Sequence, residues 1–180
     1  LGGAYIPSSG SVQIGAQTMA FKCAADSIAS GVAVIHQELH LVPEMSVAEN
    51  LFLGHLPTRF GVVNRGLLRK QALACLKGLA DEIDPDEKLG RLSLGQRQLV
   101  EIAKALSRRA RFLIMDEPTA TLTPVETERL FDLIAQLKAQ GVSIIYISHK
   151  LDEVERITEE LVVMRDGCFV TRVPTPATTR

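Results

Sequence analysis

"RFLIMDEPTATLTPVETERLFDLIAQLKAQGVSIIYISH", Arg111–His149, decides the fold. Its apolar run Phe112 to Met115 ends on two adjacent acids, Asp116 and Glu117. A helix follows with its own punctuation. Thr123 fits the N-cap, Pro124 the first turn, Glu126 the capping-box return and Gly141 the stop. Val142–His149 then reads as another buried strand with a polar end. Strands alternating with helices predict an α/β domain built on a mostly parallel sheet. Ligands of such sheets sit beyond the carboxyl ends of the strands.

Working outward, "LSLGQRQLVEIAKAL" (Leu92–Leu106) puts Leu99, Ile102, Ala103 and Leu106 on one helical stripe. Val32–Ile35 is a compact apolar run of the buried-strand type and ends on His36-Gln37. Three strand ends therefore carry polar residues: His36-Gln37, Asp116-Glu117 and Ser148-His149. Between them, about Leu39 to Arg91, the pattern reads as a mostly helical insert. Its clearest helix follows Asn64, with Leu68, Ala72, Leu76 and Leu79 at helical spacing, and Pro85 closes the region. Near the start, "SVQIGAQTM" reads as a short hairpin turning at Gly15-Ala16, and "CAADSIASG" as a short helix stopped at Gly31. Leu161–Met164 and Cys168–Val173 flank Asp166-Gly167, a hairpin signal. The tail from Pro174 to Arg180 reads as the start of a linker.

The 180 residues suffice for one domain with a substantial core. A net charge of -1 and 4% aromatic residues leave neither a basic field nor stacking platforms for nucleic acid. No apolar run is long enough to span a membrane, and no signal peptide is visible. Cys23, Cys75 and Cys168 are odd in number and widely spaced, which points to a reducing compartment rather than a disulfide framework. The chain opens on Leu1 rather than Met, so its true start is expected upstream.

Two adjacent acids closing an apolar strand are costly unless they act. Successive strand side chains point to opposite faces, so Asp116 and Glu117 take different roles. One can face a hydrated magnesium ion, the other a water near the phosphate to be attacked; the bland alternative is a strand leaving the core through solvated acids. Ser93 and Gln96 form a capping box, and the same helix start is an anion site. Its free N–H groups and dipole favour a phosphate, and Gly95 has no side chain to block approach. His149 is either a satisfied core histidine or a hydrogen-bond donor to a γ-phosphate. Gln37 either caps a turn or bridges magnesium and the attacking water. His36 and His40 in "HQELH" do not make a zinc site, because Glu38 is misplaced for that chemistry and Val42-Pro43 breaks the helix. Arg108 to Arg111 read as a solvated helix end.

Taken together, these segments resemble the nucleotide-binding domain of ABC transporters, in the family's order and over nearly the whole chain. "VIHQELHLVPEMSVAENLFLG" looks like the Q-loop region with Gln37 as its glutamine. "LSLGQRQLVEIAKAL" looks like the signature motif, and "FLIMDE" like Walker B. "TATLT" holds the D-loop position and "YISHK" the switch-histidine position. "QELHLVPEMSVAENLFLG" is further similar to the first of two tandem ATPase domains in bacterial importers of pentoses and related monosaccharides, the L-arabinose type most of all.

The resemblance implies a P-loop NTPase-like sheet flanked by helices, a helical subdomain at about 39–91 and a small antiparallel β portion. Residues 1–173 would be the ATPase domain and 174–180 the start of a linker. It implies ATP and Mg2+ as ligands. Glu117 and His149 would be catalytic, Gln37 and Asp116 would serve nucleotide and metal, and Ser93, Gly95 and Gln96 would bind nucleotide across a dimer. The implied partners are a membrane permease docked on the helical subdomain, a second ATPase domain in an ATP sandwich and, indirectly, a periplasmic sugar-binding protein, with no nucleic acid. The implied place is the cytoplasmic face of the membrane. Leu94 stands where the family usually has Gly, and the D-loop lacks its usual Asp. No G-x-x-x-x-G-K-[ST] occurs in the 180 residues, so this chain alone is expected to be inactive. Two other readings are an ABC-type ATPase not coupled to transport and a non-catalytic partner domain.

Overall fold

The computed structural model describes residues 2–3, 5–14, 17–36, 39–59, 61–107 and 110–175. Along the chain run β1 (Val12–Ile14), β2 (Gln17–Met19), α1 (Ala24–Ala29), β3 (Val32–Ile35), α2 (Val47–Leu51), β4 (Thr58–Arg59), β5 (Val62–Val63) and α3 (Arg65–Leu76). A 3-10 turn (Leu89–Arg91) leads into α4 (Leu94–Ser107), β6 (Phe112–Asp116), α5 (Pro124–Ala139), β7 (Ser143–Ile147), α6 (Leu151–Ile157), β8 (Glu160–Arg165) and β9 (Cys168–Pro174). β3, β6 and β7 form a parallel sheet with β6 central; β1-β2, β4-β5 and β8-β9 are antiparallel pairs. This is the α/β class expected, with flanking helices and small antiparallel portions.

The helices begin where local chemistry dictates. At α5 the Thr123 side chain accepts from the Glu126 N–H and the Glu126 carboxylate accepts from the Thr123 N–H, with Pro124 in the first turn. Gly141, at φ 84°, carries the chain away from the helix end. At α3 the Asn64 Oδ1 accepts from the Leu67 N–H at 3.0 Å, and Leu68, Ala72 and Leu76 are buried in register. α4 buries Leu99, Val100, Ile102 and Ala103.

Strand register decides which face of the sheet is covered. Ala33 and Ile35, Leu113 and Met115, and Ile144 and Tyr146 lie side by side on one face, in the core shared with α4 and α5. The opposite face carries Ile114 and Asp116, then Ile145 and Ile147, which are 45% and 46% exposed. Reading Val142–His149 as a buried strand is therefore corrected. β7 is the outermost strand of the sheet among the described residues, and nothing there covers its second face. A short apolar run cannot reveal this, because edge and central strands share it.

Four other features differ from expectation. The helical insert also holds the small β4-β5 pair. α2 and α6 lie where no separate helix was read. β9 runs through Pro174, into the tail read as linker. The hairpin turn at Gly15-Ala16, Arg108-Arg109 and the end of the tail, 176–180, lie outside the described residues.

Asn50 anchors the path from β3 into this insert. Fully buried, its Oδ1 accepts from the Val42 N–H at 2.7 Å, and its Nδ2 donates to the carbonyls of Val42 and Ser46, at 3.0 Å each. Removing the amide takes the acceptor from the half-buried Val42 N–H and one donor from each carbonyl, at about 1–3 kcal/mol. Asn50→Ala is expected to lower stability by roughly 2 kcal/mol or more, seen as a lower urea midpoint at unchanged slope.

Candidate functional site

The site is assembled at the carboxyl ends of β6 and β7. Glu117 follows the last residue of β6, and its N–H donates to the Ile147 carbonyl at 2.9 Å. Its φ of 48° is left-handed, a conformation that costs a non-glycine residue about 1 kcal/mol. The turn brings the carboxylate to the loop after β7. There Oε1 accepts from the His149 N–H at 3.1 Å and lies 2.8 Å from His149 Nδ1. Glu117 Oε2 is buried without a hydrogen-bond partner, an acceptor whose bonding capacity is unused.

The ring geometry constrains what His149 can do. A neutral imidazole that donates from Nδ1 to Glu117 has only an acceptor left at Nε2. Donating to Glu117 and to a phosphate at once requires the imidazolium. The His149 side chain is 78% exposed, so an anion can reach it.

Asp116 is half-buried on the less covered face of the sheet, whereas Glu117 lies beyond the strand at φ 48°, where the pleat's alternation no longer holds. His36 is exposed just past β3, with its ring edge-to-face on His40. Gln37, the residue expected to bridge metal and water, lies outside the described residues. Among the described residues no group of three His, Cys, Asp or Glu side chains gathers to hold a metal. A single hard oxygen donor such as Asp116 nevertheless suits Mg2+, which binds through one or two carboxylates and keeps several waters.

The second cluster is the start of α4. The Gln96 N–H donates to Ser93 Oγ at 3.2 Å and the Ser93 N–H to Gln96 Oε1 at 3.0 Å, so the capping box is present. Ser93 and Leu94 are exposed. Gly95 is buried, for a reason the sequence did not give. A Cβ there would lie 2.9 Å from Glu126 Oε2 and 3.1 Å from the Thr121 carbonyl oxygen. Its missing side chain makes room for its own chain. An approaching phosphate therefore meets the exposed Ser93-Leu94 side of this helix end. Among the described residues, no hydrogen bond joins Ser93 or Gln96 to Glu117 or His149. The predicted site residues thus fall into two groups, one at the strand ends and one at the α4 start.

A polar cluster behind Glu117 and His149 escaped the sequence reading. Glu153, on α6, accepts from Tyr146 OH at 2.7 Å, from Thr119 Oγ1 at 2.8 Å and from Lys150 Nζ at 3.0 Å. Burial alone would push its carboxyl up. The hydrogen bonds from Tyr146, Thr119 and Lys150 outweigh that and hold it below the ordinary carboxylate range. The stability this contributes is present above that ordinary range and is lost as pH falls through the depressed value. Burial, then the Glu153 contact, pushes the Tyr146 phenol up, so it stays a neutral donor. Thr119 and Glu153 are 34 positions apart, a separation at which no local pattern signals pairing.

Comparisons with known proteins place the chain in a family. A family model described as "ABC transporter" matches residues 1–120. The arabinose import ATP-binding protein AraG of Pseudomonas fluorescens (strain Pf0-1) is 68% identical over 94% of this chain and 33% of that protein. The ribose import ATP-binding protein RbsA of Chromobacterium violaceum is 48% identical over 94% of the chain and 34% of its own length. The chain thus spans about a third of the length of the curated relatives it matches. Among solved structures, a nucleotide-free ATP-binding cassette from an ABC transporter superposes with a TM-score of 0.80 at 27% identity, covering 96% of this chain and 72% of that one.

Proposed function

We propose, from the premise that this chain belongs to the ABC transporter family, that it is part of the ATP-binding subunit of a bacterial monosaccharide importer, with L-arabinose as the sugar. The observation that carries the reading is Glu117, held in a left-handed turn with one oxygen on His149 and the other buried and unpartnered. The 68% identity to an arabinose import ATP-binding protein supports the sugar class.

In this reading Glu117 polarises the attacking water through its unpartnered Oε2 and accepts its proton. His149, held by Glu117, donates to the γ-phosphate. Asp116 and Gln37 would hold Mg2+ directly or through water. The metal, when bound, neutralises charge on the phosphate oxygens. The helix start formed by Ser93, Gly95 and Gln96 serves ATP held by a second ATPase domain. Ser93 and Gln96 contact it at the exposed helix start, while Gly95 keeps that start seated on Thr121 and Glu126.

Residues 1–173 belong to one ATPase domain, and because β9 continues through Pro174, the linker begins beyond that residue. The insert at about 39–91 receives the permease, and exposed Leu67 and Leu73 on α3 supply apolar contact area for it. A periplasmic sugar-binding protein delivers the sugar to that permease. The subunit sits on the cytoplasmic face of the membrane. No helix among the described residues is long and apolar enough to cross it.

Disrupting the gene that encodes this chain in its host tests the function. Uptake of labelled L-arabinose is expected to fall to background, and a restored copy to recover it. A restored copy carrying Glu117→Gln is expected not to. Unchanged arabinose uptake in the disrupted strain would overturn the sugar assignment.

A further inference from the structure

We infer that Glu153 is a positioning residue, which holds the Glu117–His149 pair in register through Thr119, Tyr146 and Lys150. The inference rests on the functional reading above and deepens it.

The pair has weak means of holding itself. Its acceptor sits at the end of one strand, its donors on the loop after another, and the His149 side chain is 78% exposed. Contacts in such exposure contribute at most about 1 kcal/mol. The polar groups behind it are placed differently. Thr119 lies two residues beyond Glu117 and is 2% exposed. Lys150 is the residue after His149, and Tyr146 lies on β7, three residues before it. All three converge on one carboxylate, whose side chain is 12% exposed.

The bonding at that carboxylate is complete. Tyr146 OH and Thr119 Oγ1 donate to Glu153 Oε2, at 2.7 and 2.8 Å. Lys150 Nζ donates to Oε1 at 3.0 Å and to Thr119 Oγ1 at 3.2 Å. Each loop is thereby clamped to α6 within three residues of the reacting groups. One clamp sits just downstream of Glu117, and the other brackets His149 on both sides. Without the carboxylate, the two hydroxyls lose their shared acceptor and Lys150 loses its counter-charge, in surroundings where an unmet polar group is costly. The loops then relax independently, and a displacement near 1 Å is enough to uncouple Glu117 from its water.

An anchor that only seated α6 would be insensitive to where Glu117 and His149 stand, and this separates the two accounts. In the whole protein, Glu153→Ala is expected to lower kcat for ATP by about 10- to 100-fold with KM changed less than about twofold. Glu153→Gln, which keeps the shape and one acceptor oxygen, is expected to recover part of that loss. In parallel, hydrogen exchange of the whole protein is read on a peptide covering 147–150 and on one covering the buried part of α4. Glu153→Ala is expected to speed exchange in the first about tenfold while the second keeps its rate. Equal acceleration of both peptides, or an unchanged kcat, overturns the inference. A wild-type protein without ATP turnover overturns the functional reading alone, and the exchange comparison then decides the positioning role.

Discussion

In the whole protein, Glu117→Gln is expected to reduce ATP turnover by roughly 100- to 10,000-fold while leaving ATP binding in place. The amide keeps the length of the side chain, and its oxygen can still accept from the His149 N–H, which now sits 3.1 Å from Oε1. The left-handed turn and the Ile147 contact are backbone features and persist. What is lost is the carboxylate charge, and with it the capacity of the unpartnered oxygen to take a proton from a water. Binding without turnover should hold two ATPase domains together, so a stable ATP-dependent dimer in gel filtration accompanies the loss. Steady-state hydrolysis near the wild-type rate would sink the role given to Glu117.

Gly95→Asp is expected to damage the fold as well as the nucleotide contact. The first added atom already meets Glu126 Oε2 at 2.9 Å and the Thr121 carbonyl at 3.1 Å. Glu126 cannot simply swing aside, because its Oε2 accepts from both the N–H and the Oγ1 of Thr123, at 2.8 Å each, and caps α5. A second carboxylate about 4 Å away adds repulsion of roughly 4 kcal/mol at the dielectric typical near a protein surface. A fall in melting temperature on the order of 10 °C follows. Leu94→Asp separates the two effects. It puts the same charge at the same helix end, on a side chain that is 54% exposed. That variant should melt like the parent and still weaken ATP-driven pairing of the domains. If Gly95→Asp melts like the parent too, the close packing described at Gly95 is wrong.

The legible parts of this protein are those whose causes are local. Thr123, Pro124, Glu126 and Gly141 each act within a turn of their own position, and α5 begins and ends where they put it. The Asn64 cap and the Leu68, Ala72 and Leu76 stripe are legible for the same reason. Ser46-x-x-Glu49 carries the same capping-box pattern and could have revealed α2. α6 offered no such sign, since it has seven residues and Lys150 before it makes no side-chain cap. The exposure of Ile145 and Ile147 was illegible because it depends on what stands beside β7, not on β7 itself. At the site, the strand-end acids and the Ser93 box were readable from type and spacing. The contact between Glu117 and His149, 32 positions apart, is not marked by type or spacing. The burial of Gly95 on Thr121 and the convergence on Glu153 depend on tertiary placement, which no spacing rule reaches.

The backbone at Glu117 also sets selection for durability against selection for chemistry. A residue held at φ 48° with one buried, unpartnered oxygen loses little stability when it is replaced. Glycine would relieve the left-handed strain, remove the orphaned acceptor and leave only the exposed His149 without its contact, a net gain of up to about 1 kcal/mol. A library of variants ranked by heat resistance alone would therefore drift towards Gly at position 117 and discard the carboxylate. Ranked by sugar uptake, the same library would restore it.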